Sequence, residues 1–197
     1  KIDNDNMYQS IWEFSDNILD AVELGEKINL VNEYKTINKV IVAGMGGSAI
    51  GGDVVYALVN DELKIPFFVL RGYDLPSWVD SSTLVICSSY SGNTEETISI
   101  LENAKSRCGQ ICSITTGGRI QQLCSRYDYD AVIIPSGLQP RAALAFSFIP
   151  LLYILYKLKI ITSNIKSWLI SSSELIRDNR ENYVIKDDNN PIWDLAN

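Results

Sequence analysis

The chain has 197 residues, 46% of them hydrophobic, and a net charge of −7. That is enough apolar material for one packed α/β domain with some extra length, and it excludes global disorder. The acidic balance argues against a nucleic-acid partner, because such proteins present basic patches, so an anionic ligand has to be held by local features.

In chain order, Met7, Ile11, Phe14, Ile18 and Val22 recur at three- and four-residue steps, which predicts an amphipathic helix. A short second helix is expected around Ile28 to Tyr34. Strand-like runs then alternate with helical stretches. Lys39–Ala43 is strand one, followed by a glycine loop and a helix through about Val59. Pro66–Leu70 is strand two. Thr83–Cys87 is strand three, followed by a hydroxyl-rich loop and a helix to about Arg107. Gln110–Thr115 is strand four, with a helix near Arg119–Arg126, and Ala131–Pro135 is strand five, with a long helix starting near Pro140. Short apolar strands alternating with helices predict a three-layer α/β sandwich around a five-stranded parallel sheet, buried on both faces.

The run Ala142–Tyr156 reads AALAFSFIPLLYILY. It contains Pro150 and falls short of the roughly 20 residues that cross a bilayer, so no membrane partner is expected. A helix apolar on all sides belongs to a core or a subunit interface. A second domain or a partner subunit is therefore expected to cover it, with a homodimer as the default. The tail, Thr162 to Lys186, is polar and helical in pattern, and a further helix is expected from Pro191, behind Asn190 as N-cap. The chain begins at Lys1 and stops as that helix begins, which gives the expectation of a piece of a longer protein.

Cys87, Cys108, Cys112 and Cys124 contain no Cys-x-x-Cys pair, and the chain has no histidine. No metal site is expected, and the thiols read as buried and reduced. With no signal-peptide pattern, they favour the cytoplasm.

Ligands in parallel sheets bind at the carboxyl ends of the strands. Two unusual loops sit there. GMGGSAIGGD, residues 44–53, has five glycines in ten residues, so the backbone itself must be approached closely. Gly44-x-Gly46-x-x-Ala49 also matches a dinucleotide fingerprint, but strand two ends in Leu70-Arg71 where an acidic residue should bind the ribose. The second loop decides against that reading. Ser88, Ser89, Ser91 and Thr94 offer four hydroxyls at a helix start where capping needs one, and hydroxyls with orphan N–H groups suit a phosphate dianion.

The stretch VAGMGGSAIGGD, then SYSGNTEET, then QPRAALAFSF after strand five, resembles the SIS (sugar isomerase) fold, which is flavodoxin-like, and more closely the bifunctional phosphoglucose/phosphomannose isomerases. The resemblance implies an aldose–ketose isomerase of hexose 6-phosphates, interconverting glucose 6-phosphate or mannose 6-phosphate and fructose 6-phosphate without a cofactor. It implies that Ser89, Ser91 and Thr94 hold the phosphate with help from Ser48, and that Gly46 and Gly47 let the sugar lie against backbone. Arg141 would orient the sugar or stabilise negative charge near the reacting carbons. It implies a sugar-phosphate-binding SIS domain over residues 1–160, and a helical linker with the start of a second SIS domain over 161–197. In that family the proton-transfer glutamate, a ring-opening histidine and an assisting lysine lie in the second domain, so these 197 residues are expected to bind but not to turn over. Glu95 and Glu96 follow the phosphate loop where the helix dipole favours acids, and neither is assigned as base. The alternative is a stand-alone, non-catalytic SIS module that senses a sugar phosphate.

Overall fold

The computed structural model describes residues 3–4, 6–107, 110–184, 190 and 195. Helices α1 (Met7–Trp12) and α2 (Phe14–Lys27) lead into β1 (Lys39–Ala43), α3 (Gly46–Val59), β2 (Phe67–Leu70) and β3 (Thr83–Ser89). Then follow α4 (Glu95–Lys105), β4 (Gln110–Thr115), α5 (Gly118–Tyr127), β5 (Asp130–Ile133), α6 (Leu144–Lys157) and α7 (Ile165–Tyr183). All ladders are parallel and the strand order is β2-β1-β3-β4-β5. The expected three-layer α/β fold is therefore present, in the flavodoxin-like order.

Strand alternation builds two cores. Val40, Val42, Leu84, Ile86 and Ile114 face α2, α3 and α6. Ile41, Val85, Cys87 and Ile111 face α4 and α5, against Ile100, Leu101, Ile120 and Leu123. All seven residues of β3 are buried, which is why they read as an unbroken apolar and small-residue run. β3 also runs two residues further than its apolar run. Ser88 and Ser89 pair with Ile114 and Thr115, so the loop proper begins at Tyr90.

Four expectations need correction, and two more fall outside the described residues. The first helix breaks at Glu13, whose carbonyl accepts the N–H groups of Asp16 and Asn17 and so starts α2 afresh. Residues 28–34 are not helical. Asp130 takes their donors: its Oδ1 accepts the Val31 N–H at 2.9 Å, and its Oδ2 accepts the Asn32 N–H at 3.1 Å and the Tyr34 hydroxyl at 2.8 Å. The long apolar helix needs no partner subunit or second domain to cover it, because α6 is buried from Ala145 through Leu155 by this chain's own α2 and α3. Two glycines permit that approach: a Cβ at Gly25 would sit 2.2 Å from the Tyr153 ring, and one at Gly51 would sit 2.7 Å from Ser147 Cβ. α6 also begins at Leu144 rather than near Pro140, since the Ala142 and Ala143 N–H groups close a turn on the Gln139 carbonyl. Cys108 and the helix expected from Pro191 lie outside the described residues, Leu195 apart. Cys87, Cys112 and Cys124 are buried thiols, and burial pushes the Cys112 and Cys124 thiols above their usual range.

α7 lies on α2, joined by the Ser173 hydroxyl to the Ser15 carbonyl at 2.8 Å and by the pairs Arg177–Asp16 and Lys166–Glu26. Its start is held by Glu62. That carboxylate accepts the Thr162 N–H and hydroxyl, the Ser163 N–H at 3.1 Å and the Ser163 hydroxyl at 2.5 Å. The Ser163 hydroxyl, with the Thr162 and Ser163 amides, holds the Glu62 pKa below its usual value of 4.5. A group whose folded-state pKa is depressed contributes fully above its unfolded pKa, and the contribution disappears as pH falls through the folded value. Glu62→Gln is expected to cost about 1 kcal/mol at pH 7, a modest figure because the group is partly exposed and screened. Thermal melts should show the gap between variant and parent closing below about pH 4; a gap independent of pH would show that the charge is not what holds the loop.

Candidate functional site

The order of strands makes β1 and β3 neighbours whose chains leave the sheet in opposite directions. That is the switch point where such sheets open a crevice at their carboxyl ends. The glycine loop leaves β1 there and the hydroxyl loop leaves β3 there. They touch: a Cβ at Gly44 would lie 2.9 Å from the Ser88 carbonyl, so only glycine lets the two strand exits close up.

α3 and α4 both start at this crevice, and neither has a side-chain cap. Thr94 is the N-cap residue of α4, yet its hydroxyl lies 2.9 Å from Ser89 Oγ instead of bonding the helix N–H groups. The hydroxyl cluster is therefore not spent on capping, and two helix N-termini keep orphan donors at one point of the fold. Glu95 and Glu96 occupy the first turn of α4, as the dipole favours.

The hydroxyls are arranged as donors. Ser48 Oγ accepts the Tyr90 N–H at 3.2 Å, which joins the two loops, and Ser91 Oγ accepts the Asn93 N–H at 3.2 Å. Ser89 Oγ accepts the Gly92 N–H at 3.1 Å. Each of these serine oxygens accepts one backbone N–H, and the Ser89–Thr94 pair uses one of its two protons internally. Ser48, Ser91 and the pair thus retain a proton each to offer an anion. Ser48 and Ser89 are buried while Ser91 is exposed, so the set runs from the floor of the crevice to its rim.

The loop is braced from β4 and α5. Gly92 has φ +68, and its carbonyl accepts the Ile120 N–H at 2.9 Å, while Asn93 Oδ1 accepts the Arg119 N–H at 3.0 Å. The Tyr90 carbonyl accepts both the N–H and the hydroxyl of Thr116, at 3.1 and 2.7 Å. Sequence reasoning missed these supports. The Thr116-Gly117-Gly118 triplet after β4 was the available signal, a third small-residue turn at the same edge of the sheet.

Of the predicted residues, Ser48, Ser89, Ser91 and Thr94 come together. Gly46 has φ +50 with open space at its Cβ position. At Gly47 a Cβ would meet the Pro140 carbonyl at 2.9 Å, so this glycine also seats the next turn. That turn carries Arg141. Arg141 is exposed, and among the described residues its guanidinium has no ion pair or side-chain hydrogen bond. It borders a groove of about 350 Å³ shared with Tyr8, Trp12, Leu144 and Tyr183. Arg71, where a dinucleotide site would need its ribose-binding residue, is paired with Asp53 of α3. Among the described residues no group of three His, Cys, Asp or Glu side chains could hold a metal, and no helix is long and apolar enough to cross a membrane.

A doubly wound parallel sheet with a glycine loop and a hydroxyl loop meeting at its switch point defines a flavodoxin-like α/β domain with two uncapped helix N-termini at that edge. The chain belongs to the SIS domain family, which matches residues 33–151, from the segment ahead of β1 into α6. A bifunctional phosphoglucose/phosphomannose isomerase from Caldicellulosiruptor bescii is 45% identical over 177 residues, covering 90% of this chain and 52% of that protein. One from Thermoplasma volcanium is 36% identical over 171 residues, covering 86% of this chain and 52% of its own length. The chain therefore spans about half the length of these curated relatives. Among solved structures, the C-terminal domain of glucosamine-fructose-6-phosphate aminotransferase from Francisella tularensis shares the fold, with a TM-score of 0.62 at 16% identity over 90% of this chain and 54% of that one.

Proposed function

We propose that this chain is the sugar-phosphate-binding half of an aldose–ketose isomerase that converts glucose 6-phosphate or mannose 6-phosphate to fructose 6-phosphate. The observation that carries this is the pair of uncapped helix N-termini flanked by hydroxyls that each accept a backbone N–H and keep a proton to donate. Such a site favours a dianion over a neutral sugar. Ser48, Ser89, Ser91 and Thr94 hold the phosphate, Gly46 and Gly47 line the backbone side, and Arg141 faces the sugar. The names of the two relatives supply the hexose class.

Isomerisation moves a proton between C1 and C2 and needs an acid/base pair to open the ring. These 197 residues contain no histidine, and neither acid of the α4 first turn is assigned to that work. The base and the ring-opening group belong to polypeptide outside these residues, reached through the helical segment from 161 onward, which we read as a linker to a second SIS domain. Residues 1–160 are then the binding domain. An apolar surface that suits a homodimer is the outer face of α3, where Ile50, Ala57 and Leu58 are exposed at helical spacing beside half-buried Val54. A cytoplasmic location accords with the buried thiols.

Calorimetric titration tests the reading. Fructose 6-phosphate should bind and fructose should not. Ser91→Ala and Thr94→Val should each weaken binding by about 1.5–3 kcal/mol, roughly 10- to 100-fold, because each removes a hydrogen bond to a charged group. Undiminished affinity in both variants, or equal affinity for fructose, would overturn the phosphate assignment.

A further inference from the structure

Four loops meet at the carboxyl edge of the sheet, and Tyr90 is bonded to the other three. Its N–H donates to Ser48 in the glycine loop, and its carbonyl accepts from Thr116 after β4. Its hydroxyl accepts the Leu138 N–H at 3.0 Å, in the connection from β5 to α6. That last bond lies three residues ahead of Arg141. The connection is otherwise lightly held. The Ile134 N–H reaches the Thr115 carbonyl, and the turn at Pro140 closes on Gln139. Between them, among the described residues, the Leu138 N–H is the one main-chain group bonded to another element. The stretch includes Gly137 at φ +101, and residues 135–137 and 139–141 are exposed.

We propose that Tyr90 is a positioning residue, whose phenol ties the Arg141 turn to the loop proposed to bind phosphate. The two ends of a bound sugar phosphate are then registered against each other through one hydrogen bond: hydroxyls at the phosphate, Arg141 at the sugar. This rests on the phosphate reading above. A phenol is suited to the role because its ring is half-buried against the α2/α3/α6 core, so its oxygen sits at a fixed distance from the loop backbone.

Tyr90→Phe keeps the ring and removes the bond. Inorganic phosphate should bind within about 2-fold of the parent, while fructose 6-phosphate affinity falls roughly 5- to 10-fold, the weight of one partly buried hydrogen bond. Arg141→Ala should show the same split, and the double variant should lose little more than Arg141→Ala alone, since both act through one contact. Parent-like fructose 6-phosphate affinity in Tyr90→Phe, or equal losses for both ligands, overturns the proposal. A ligand-free measurement separates this from failure of the phosphate reading. Amide exchange at Leu138 should accelerate roughly 10-fold or more in Tyr90→Phe with the global melt unmoved. Unchanged exchange there overturns the tether even if phosphate binds; faster exchange in a protein that binds no hexose phosphate supports the tether and sinks only the phosphate reading.

Discussion

Gly92→Ala is expected to lose about 3–5 kcal/mol of stability and, with it, the ordered loop between β3 and α4. Two effects add. The residue sits at φ +68, where a side chain is strained, and its Cβ would lie 1.8 Å from the Gly117 carbonyl oxygen and 2.7 Å from Thr115 Oγ1. Neither neighbour can retreat. Gly118 is as tightly placed, since its own Cβ would lie 2.7 Å from the Ser91 carbonyl, and the Ile120 N–H is bonded to the Gly92 carbonyl. Gly46→Ala is the control. It shares the positive φ, +50, but has open space, so only the backbone cost of roughly 1–2 kcal/mol applies. Urea denaturation of both variants should separate the two clearly. Equal midpoints would show that the packing against Gly117 does not exist in solution.

The second large effect is expected at Asp130→Ala, at about 3 kcal/mol, because three donors lose their Asp130 acceptor at once, the Tyr34 hydroxyl keeping only the Ile111 carbonyl at 3.4 Å. Those donors are the Val31 and Asn32 N–H groups and the Tyr34 hydroxyl. Burial, with the hydrogen bond to the neighbouring Asp130 carboxylate and its charge, pushes the Tyr34 hydroxyl well above its usual range, so it stays a neutral donor. Tyr34→Phe removes one of the three bonds and leaves the carboxylate two backbone partners, and should cost about 1 kcal/mol. The double variant should cost less than the sum, since the two residues share a bond. Denaturant midpoints for the three variants check this; an Asp130→Ala protein as stable as its parent would mean that residues 28–34 are anchored by something else.

These two cases bracket how much could be read in advance. The five strands were legible because strands covered on both faces stay apolar along their length, as Val40–Ala43 and Leu84–Cys87 do. The loops at their ends were legible because glycines and hydroxyls interrupt that pattern at the places where α/β sheets bind ligands. Residues 28–34 look helical in sequence because Ile28, Val31 and Tyr34 have the spacing of a helix, while the competing acceptor lies 99 positions from Val31 in the chain. α6 was read as apolar on all sides, which states that it is covered but not by what; Gly25 and Gly51, on two other helices, decide that. Tyr90 carried no signal at all, since the bond that distinguishes it spans 48 residues.

The amino-acid order by itself determined the layer architecture, the sheet edge where the glycine and hydroxyl loops meet and the residue types that line it, since each depends on periodicity or composition within a dozen neighbours. Only the tertiary structure decided which backbone N–H groups the loop hydroxyls accept, which glycines have open space and which abut a neighbouring turn, and how the Leu138 amide is tied to Tyr90. Those outcomes depend on which distant groups reach each donor and acceptor first, and a hydrogen bond is made to whatever lies within about 3 Å, however remote in sequence.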